Sequence, residues 1–133
     1  TDKHLEDFYA AHKLSAHSGD AILIRTGWAE KGLDQIAYHE CEPGLTIEAA
    51  RWLVKNEIAI VGADNYAIET QPSPPETKFP VHLFLLHKSG VPLVENLILS
   101  ELSKKGRKTF LFVMLPLLLV GSTASPVTPV VVL

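Results

Sequence analysis

The feature that most restricts the fold of this chain is a pair of short apolar segments separated by a helix-forming stretch. The two apolar segments are residues 21–26 and 58–62. Between them, Thr46 is a good helix N-cap and Glu48 carries the charge that the first turn of a helix favours. Because a helix between two apolar strands is the βαβ arrangement, the sequence predicts a parallel pairing and an α/β fold.

Helices, strands and loops are predicted to alternate around that unit. An amphipathic helix is expected over residues 2–14, and residues 28–44 form a long connection. Four prolines in ten positions predict a stiff extended loop over residues 71–80. The strongest strand is predicted at residues 109–115, and residues 127–133 are expected to form an edge or terminal strand.

Size and charge exclude several classes of protein. A chain of 133 residues that is 47% hydrophobic and has no internal repeat is predicted to form one globular domain, residues 1–133. The net charge of −3 gives no reason to expect nucleic acid as a partner, and the basic cluster 104–108 is interpreted as a solvated turn. The longest apolar run, residues 110–120, is too short for a membrane helix and contains Pro116. It is therefore interpreted as a core strand, and no membrane association is expected.

The only cysteine lies in a segment that could hold metal ligands. His39, Glu40, Cys41 and Glu42 are consecutive, and alternate residues of an extended segment point the same way. An ordinary polar loop is the favoured interpretation. A single cysteine excludes an internal disulfide and favours a reducing compartment, so we expect a cytoplasmic protein.

His82 and Glu95 are the two residues whose types and sequence surroundings most strongly suggest a metal site or a paired charge. His82 opens a short apolar run that suggests a short helix, and after the Gly90 turn the apolar residues 91–94 lead into Glu95. A carboxylate in apolar surroundings needs a partner, a hydrogen bond or a cation. Spacing leaves two interpretations, a shared metal or a helix-capping His with a Glu at a solvated strand end. The residues alone favour the second.

Two further residues follow predicted strands. Asp64 comes just after the second strand, where ligand sites of α/β sheets collect, although a turn-capping role is favoured. Trp28 follows the first strand and is interpreted either as a wall of a substrate pocket or as core. The chain contains no Gly-rich phosphate loop, no G-x-S-x-G elbow and no H-E-x-x-H motif.

Five segments resemble the later part of the cyclase family, the metal-dependent hydrolases that include bacterial kynurenine formamidase and isatin hydrolase. They are SGDAILIRTGWAEKG at 18–32, PGLTIEAARWL at 43–53, IAIVGAD at 58–64, VHLFLLHKSGVPLVENL at 81–97 and FLFVMLPLLLVGSTASPVTPVVVL at 110–133. The resemblance implies the family's swivelling β/β/α fold, a divalent metal that is zinc or manganese, a small-molecule substrate and a homo-oligomer.

The resemblance also implies a role for two residues. The family's metal ligands include the His before the L-L pair and the Glu of the "VEN" stretch, which are His82 and Glu95 here. Their spacing is slightly longer than in the family pattern, and a one-residue insertion around residues 88–89 would account for that. The family's H-x-G-T-H-x-D-x-P-x-H motif, which supplies the other ligands and the catalytic His, is absent from these residues. We expect it, and the catalytic residues, upstream of Thr1, so the chain is expected to be a C-terminal part that is incomplete at its N-terminus.

The function implied by the resemblance is hydrolysis of a C–N bond in an amide or cyclic amide, such as an aryl formamide, by metal-activated water. Two alternatives stay open. One is a metal-free binding or structural member of the same fold, in which His82 and Glu95 pair with each other or with the core. The other is an inactive fragment of a cyclase-family enzyme.

Overall fold

A parallel three-stranded sheet organises the first of two compact units that the chain forms. The computed structural model describes residues 1–133, and the units comprise Thr1–Glu101 and Leu102–Leu133. All strands of the sheet are parallel and neighbour one another in chain order, Ala21–Ile24 (β1), Ile60–Ala63 (β2) and Leu93–Val94 (β3). The predicted parallel pairing of the first two strands is confirmed, in the register that places Ala21 beside Ile60.

The first helix, α1 (Asp2–His12), begins at the predicted residue. The Thr1 hydroxyl accepts the backbone N–H of His4, while the His4 side chain contacts the Thr1 amino group. The helix ends at His12, two residues earlier than predicted, and the backbone of Lys13 after it is left-handed. On its inner side the centre of the Tyr9 ring lies 5.5 Å from that of Trp52. This contact joins α1 to the later helix that contains Trp52.

The connection between β1 and the next long helix contains helical turns that periodicity did not predict. They are a 3-10 turn at Ala29–Lys31 and the short helix α2, Gln35–Glu40. Asp34 begins α2 because its carboxylate accepts the backbone N–H of Ala37 at 2.8 Å. Helix α2 buries none of its residues, and both Ile36 and His39 are exposed. Its sequence therefore lacks the apolar periodicity that predicts a helix.

Helix α3 (Ile47–Lys55) carries the centre of the core. Its residues Ala49, Ala50 and Leu53 are fully buried, and they pack with Val61 of β2 and with Leu85. Leu85 belongs to a helical segment that starts as α4 (Pro80–His82) and continues as a π-helical turn over Leu83–Lys88. The helix predicted after His82 is thus present, and it begins early enough to include His82 itself.

We expect Thr46→Ala to lower the free energy of unfolding by about 1 kcal/mol, because the Thr46 hydroxyl accepts the backbone N–H of Ala49 at the start of α3. Urea denaturation followed by circular dichroism measures the change. Thr46→Ser keeps the hydroxyl and is the control, so an equal loss in both variants would contradict a capping role.

The second unit is built around a two-stranded antiparallel ribbon. Its strands are β4 (Leu111–Val113) and β5 (Val130–Val132), after a short helix, α5 (Ser100–Lys104), at the unit boundary. The terminal strand is where it was predicted, but the interpretation of residues 110–120 as a core strand is wrong. Leu115, Leu118 and Val120 are 79%, 97% and 101% exposed. A two-stranded ribbon has no second layer of its own to cover both faces.

None of the helices is long and apolar enough to cross a membrane. The organisation of the chain as a single domain stays a prediction.

Candidate functional site

The structure places His82 between two carboxylates. The ring nitrogen Nδ1 lies 2.7 Å from Oε1 of Glu69, and Nε2 lies 2.9 Å from Oε1 of Glu95. The Glu69 side chain is 2% exposed, whereas that of Glu95 is 36% exposed. The two residues singled out in the sequence therefore meet, and a third residue joins them that sequence reasoning missed.

His82 owes its position to the start of α4. Phe79 adopts a left-handed backbone with φ of 52° and has no side-chain cap, while Pro80 occupies the first helical position. The missing cap is supplied from elsewhere in the chain, since the Glu69 carboxylate accepts the backbone N–H groups of Val81 and His82, each at 3.0 Å. One side chain therefore holds both the backbone and the ring of His82.

Glu95 is positioned by the end of β3. It directly follows Val94, the last residue of the strand, and precedes Asn96, which has a left-handed backbone with φ of 55°. Asn96 is held by its N–H, which donates to the Asn65 carbonyl at 2.9 Å, and by Tyr38, whose hydroxyl donates to the Asn96 side-chain oxygen at 2.8 Å. Glu95 therefore lies at a solvated strand end, as the favoured interpretation predicted, and the expectation of apolar surroundings is wrong for it.

The charge of His82 follows from this arrangement. Burial alone would lower the pKa of His82, but the hydrogen bonds to Glu69 and Glu95, with the negative charge of both carboxylates, raise it to about 9. Without a cation, His82 is therefore a protonated imidazolium at neutral pH, paired on both sides.

The donor set fits one part of a metal site. A metal-ligating His almost always donates its other ring N–H to a carboxylate or a carbonyl, as Nδ1 of His82 can to Glu69. Nε2 and the Glu95 oxygen then face each other at 2.9 Å, and ligands of one cation lie roughly 3 Å apart. No group of three or more His, Cys, Asp or Glu side chains in the chain is arranged to hold a metal ion. The described residues thus offer two ligands and need others to complete a site.

Asp64 has the turn-capping role that the sequence favoured. One carboxylate oxygen accepts the Thr26 N–H at 2.7 Å and the Thr26 hydroxyl at 2.6 Å, and the other accepts the Gly27 N–H at 2.7 Å. Asp64 is 2% exposed. It ties the end of β2 to the end of β1.

Trp28 is buried beside that turn. Its indole N–H donates to the Tyr38 carbonyl at 3.1 Å, and the Lys31 ammonium lies 4.5 Å from its ring centre. A cleft of about 190 Å³ opens nearby, and its lining includes Glu30, Tyr38, Asp64, Asn96 and Ile98. Trp28 itself is absent from that lining, so its role as a wall of a substrate pocket stays a prediction.

The segment from His39 to Glu42 does not gather its side chains at one point. His39 lies at the end of α2 with Nδ1 2.7 Å from the Gln35 carbonyl, and Cys41 is exposed. Glu42 is buried and accepts the backbone N–H groups of Tyr66 and Ala67.

Comparison with known proteins identifies relatives by sequence and by structure. The Cyclase family model, described as "Putative cyclase", matches residues 1–70. A crystal structure of a novel cyclase is 32% identical with a TM-score of 0.83, over 96% of this chain and 44% of that one. An isatin hydrolase bound to the product analogue thioisatinate is 23% identical with a TM-score of 0.80, over 96% of this chain and 50% of that one.

A third solved structure is a predicted metal-dependent hydrolase from Bacillus stearothermophilus, 26% identical with a TM-score of 0.66, over 91% of this chain and 53% of that one. This chain therefore spans about half the length of the solved structures that it matches. No curated protein matches the sequence.

Proposed function

Because this chain belongs to the cyclase family, we propose that it forms part of a metal-dependent hydrolase that cleaves a C–N bond of an amide or cyclic amide. The observation that carries the proposal is the way His82 is held. Glu69 engages Nδ1 and leaves Nε2 facing Glu95, as expected of a ligand pair with its supporting carboxylate. The structure described as a predicted metal-dependent hydrolase, which is 26% identical, supports the same conclusion.

The two proposed ligands differ in chemistry. His82 would contribute a neutral Nε2 and Glu95 an anionic oxygen, a combination that suits zinc or manganese. When bound, such a cation supplies an activated water and polarises an acyl oxygen. With the cation bound, Glu69 would retain the proton on Nδ1, so that Nε2 would keep its lone pair for the cation. We assign no catalytic acid or base to the residues of this chain.

The proposed substrate is a small molecule, an aryl formamide or a related cyclic amide. The isatin hydrolase that holds thioisatinate shares the fold, which supports this class by analogy alone. Tyr38 and Asn96 line the cleft, and Asn96 directly follows Glu95 in the sequence. The Tyr38 hydroxyl and the Asn96 amide are groups that can hydrogen-bond a polar ligand. We further propose a homo-oligomer, since exposed apolar residues such as Leu118 favour association. A cytoplasmic location is proposed because the single cysteine favours a reducing compartment.

Elemental analysis of the complete gene product tests the proposal. We expect about one zinc or manganese ion per chain after purification without added metal. His39→Ala is the matched control, because His39 is exposed, adjoins other candidate ligands and lies outside the His82 site. The control should retain the metal and His82→Ala should lose it. Protein that contains no metal and still hydrolyses amides would overturn the proposal.

A metal-free structural or binding role is the second candidate. It is favoured by the direct 2.9 Å contact between His82 and Glu95, which is the geometry of an ion pair. In that role the charged His82 stabilises the fold without help from a cation.

Stability of chelator-treated protein is expected to fall with rising pH. The pKa of His82 is raised from 6.5 to about 9 in the folded state, so its contribution is complete below pH 6.5 and is lost as the pH rises through 9. We expect a loss of roughly 2 kcal/mol after allowance for solvent screening. Urea denaturation at both ends of that range measures it, and His82→Ala should remove that part of the pH dependence. A wild-type protein with the pH dependence of His82→Ala would contradict the pairing.

A further inference from the structure

We propose that Glu69 is the positioning residue of the metal centre, and that the backbone segments 42–45 and 65–68 are built to hold it. This inference rests on the proposed function, since it concerns how His82 is presented to a cation. Glu69 does not face the cation position itself, because its carboxylate lies on the Nδ1 side of the ring.

Glu69 makes three contacts with the first helical residues of α4. Its Oε1 accepts the His82 backbone N–H at 3.0 Å and lies 2.7 Å from Nδ1, while Oε2 accepts the Val81 N–H at 3.0 Å. A carboxylate that is almost completely removed from water is stable only when such donors surround it. These contacts fix the backbone position, the ring orientation and the protonated nitrogen of His82 together.

The backbone before Glu69 is anchored by two buried side chains. The buried Glu42 accepts the Tyr66 N–H at 3.1 Å and the Ala67 N–H at 2.6 Å. Asn65, which is fully buried, donates to the Pro43 carbonyl at 2.6 Å and accepts the Ile68 N–H at 3.2 Å. The Glu42 and Asn65 side chains therefore cross-link segment 42–45 to segment 65–68.

Backbone contacts continue this anchoring up to Glu69. The Leu45 N–H donates to the Ile68 carbonyl at 2.8 Å, and the Thr70 N–H donates to the Leu45 carbonyl at 3.2 Å. A Cβ on Gly44 would clash with the backbone of Ile68 and Glu69, so the two segments touch directly.

Ile68 has a strained backbone conformation. Its φ is 60°, in the left-handed region that β-branched residues strongly disfavour. Such a conformation persists only where the surroundings impose it, and strained backbone concentrates at functional sites. Here it directly precedes the residue that holds His82, and the contacts of Glu42, Asn65 and Leu45 impose it.

A purely structural role for Glu69 is the alternative, and Asp64 provides a matched control. Both are buried carboxylates whose two oxygens accept backbone N–H groups, so replacement by the corresponding amide places an NH₂ group against a backbone donor in each case. Only Glu69 contacts the His82 ring. An effect on metal binding that appears at Glu69 and not at Asp64 cannot come from the general loss of stability.

The experiment is a Zn²⁺ titration of the complete gene product by calorimetry with a competing chelator, accompanied by thermal denaturation. We expect Glu69→Gln to weaken the Zn²⁺ affinity by roughly 10- to 100-fold. Asp64→Asn should keep the wild-type Zn²⁺ affinity although its Tm falls by about as much as that of Glu69→Gln. Equal affinities of Glu69→Gln and wild type, or equal weakening in both variants, would overturn the role of Glu69 and leave the proposed function standing.

Failure of the wild-type protein to bind Zn²⁺ or Mn²⁺ would overturn the proposed function and this inference with it. If Glu69→Gln does not fold, ¹⁵N-histidine spectra of Zn²⁺-loaded wild type decide the question. A proton on Nδ1 with Nε2 bound to Zn²⁺ supports the role of Glu69, and the reverse pattern overturns it.

Discussion

Replacement of Glu95 by glutamine is expected to remove the metal and to reduce amide hydrolysis by roughly 10³-fold or more. The physical reason is that an amide oxygen is a much weaker ligand than a carboxylate, while the shape of the side chain is unchanged. Glu95 is 36% exposed and lies outside the buried core, so the free energy of unfolding of the chelator-treated variant should differ little from that of chelator-treated wild type. Elemental analysis, an aryl formamide hydrolysis assay and thermal denaturation of the complete gene product measure the three effects.

The control for this variant is Glu76→Gln, an exposed glutamate in the loop that precedes α4. It makes the same chemical change without reaching His82 and should leave both metal content and turnover unchanged. Normal turnover by Glu95→Gln would reject Glu95 as a ligand. A large fall in its stability would show instead that the contact with His82 is mainly structural.

The fold could be predicted largely from pattern. Two apolar segments flanking a capped helix predicted the parallel pairing of β1 and β2, because local hydrophobicity and capping act within a few residues. The resemblance to the cyclase family supplied the topology that periodicity could not, and the matched structures confirm the cyclase-like swivelling α/β fold. Residues 110–120 show what an apolar pattern cannot predict. The pattern indicates that side chains tend to be buried, but it does not show whether another part of the fold covers them.

The candidate site was only partly visible in the sequence. His82 and Glu95 were singled out by their types and then by resemblance, and the structure brings them together. Glu69 was missed because it follows an irregular segment with no periodicity, and only the folded chain brings it to His82. A signal did exist, since a glutamate beside apolar residues in "YAIET" is a group that must find donors when it is buried.

Gly44 links the stability of the fold to the geometry of the site, and its replacement by alanine is expected to cost about 3 kcal/mol of unfolding free energy or more. An added Cβ would lie 2.5 Å from the Ile68 carbonyl oxygen and 2.6 Å from that of Glu69. Both are backbone atoms, and the Ile68 carbonyl is held by the Leu45 N–H, so the backbone cannot move aside without loosening the anchoring of Glu69. The variant should therefore also bind Zn²⁺ more weakly than wild type.

Gly62→Ala separates this effect from the general cost of adding a methyl group. A Cβ on Gly62 would lie 2.7 Å from Cδ1 of Leu97 and 2.8 Å from Cδ2 of Leu23, which are the flexible ends of side chains. Because those ends can rotate away, we expect a loss of only about 1 kcal/mol and an unchanged Zn²⁺ affinity. Urea denaturation and Zn²⁺ titration of both variants measure the difference. Equal losses of stability and affinity in the two variants would mean that the backbone at Glu69 is free to shift, and that Gly44 is not what holds the carboxylate against His82.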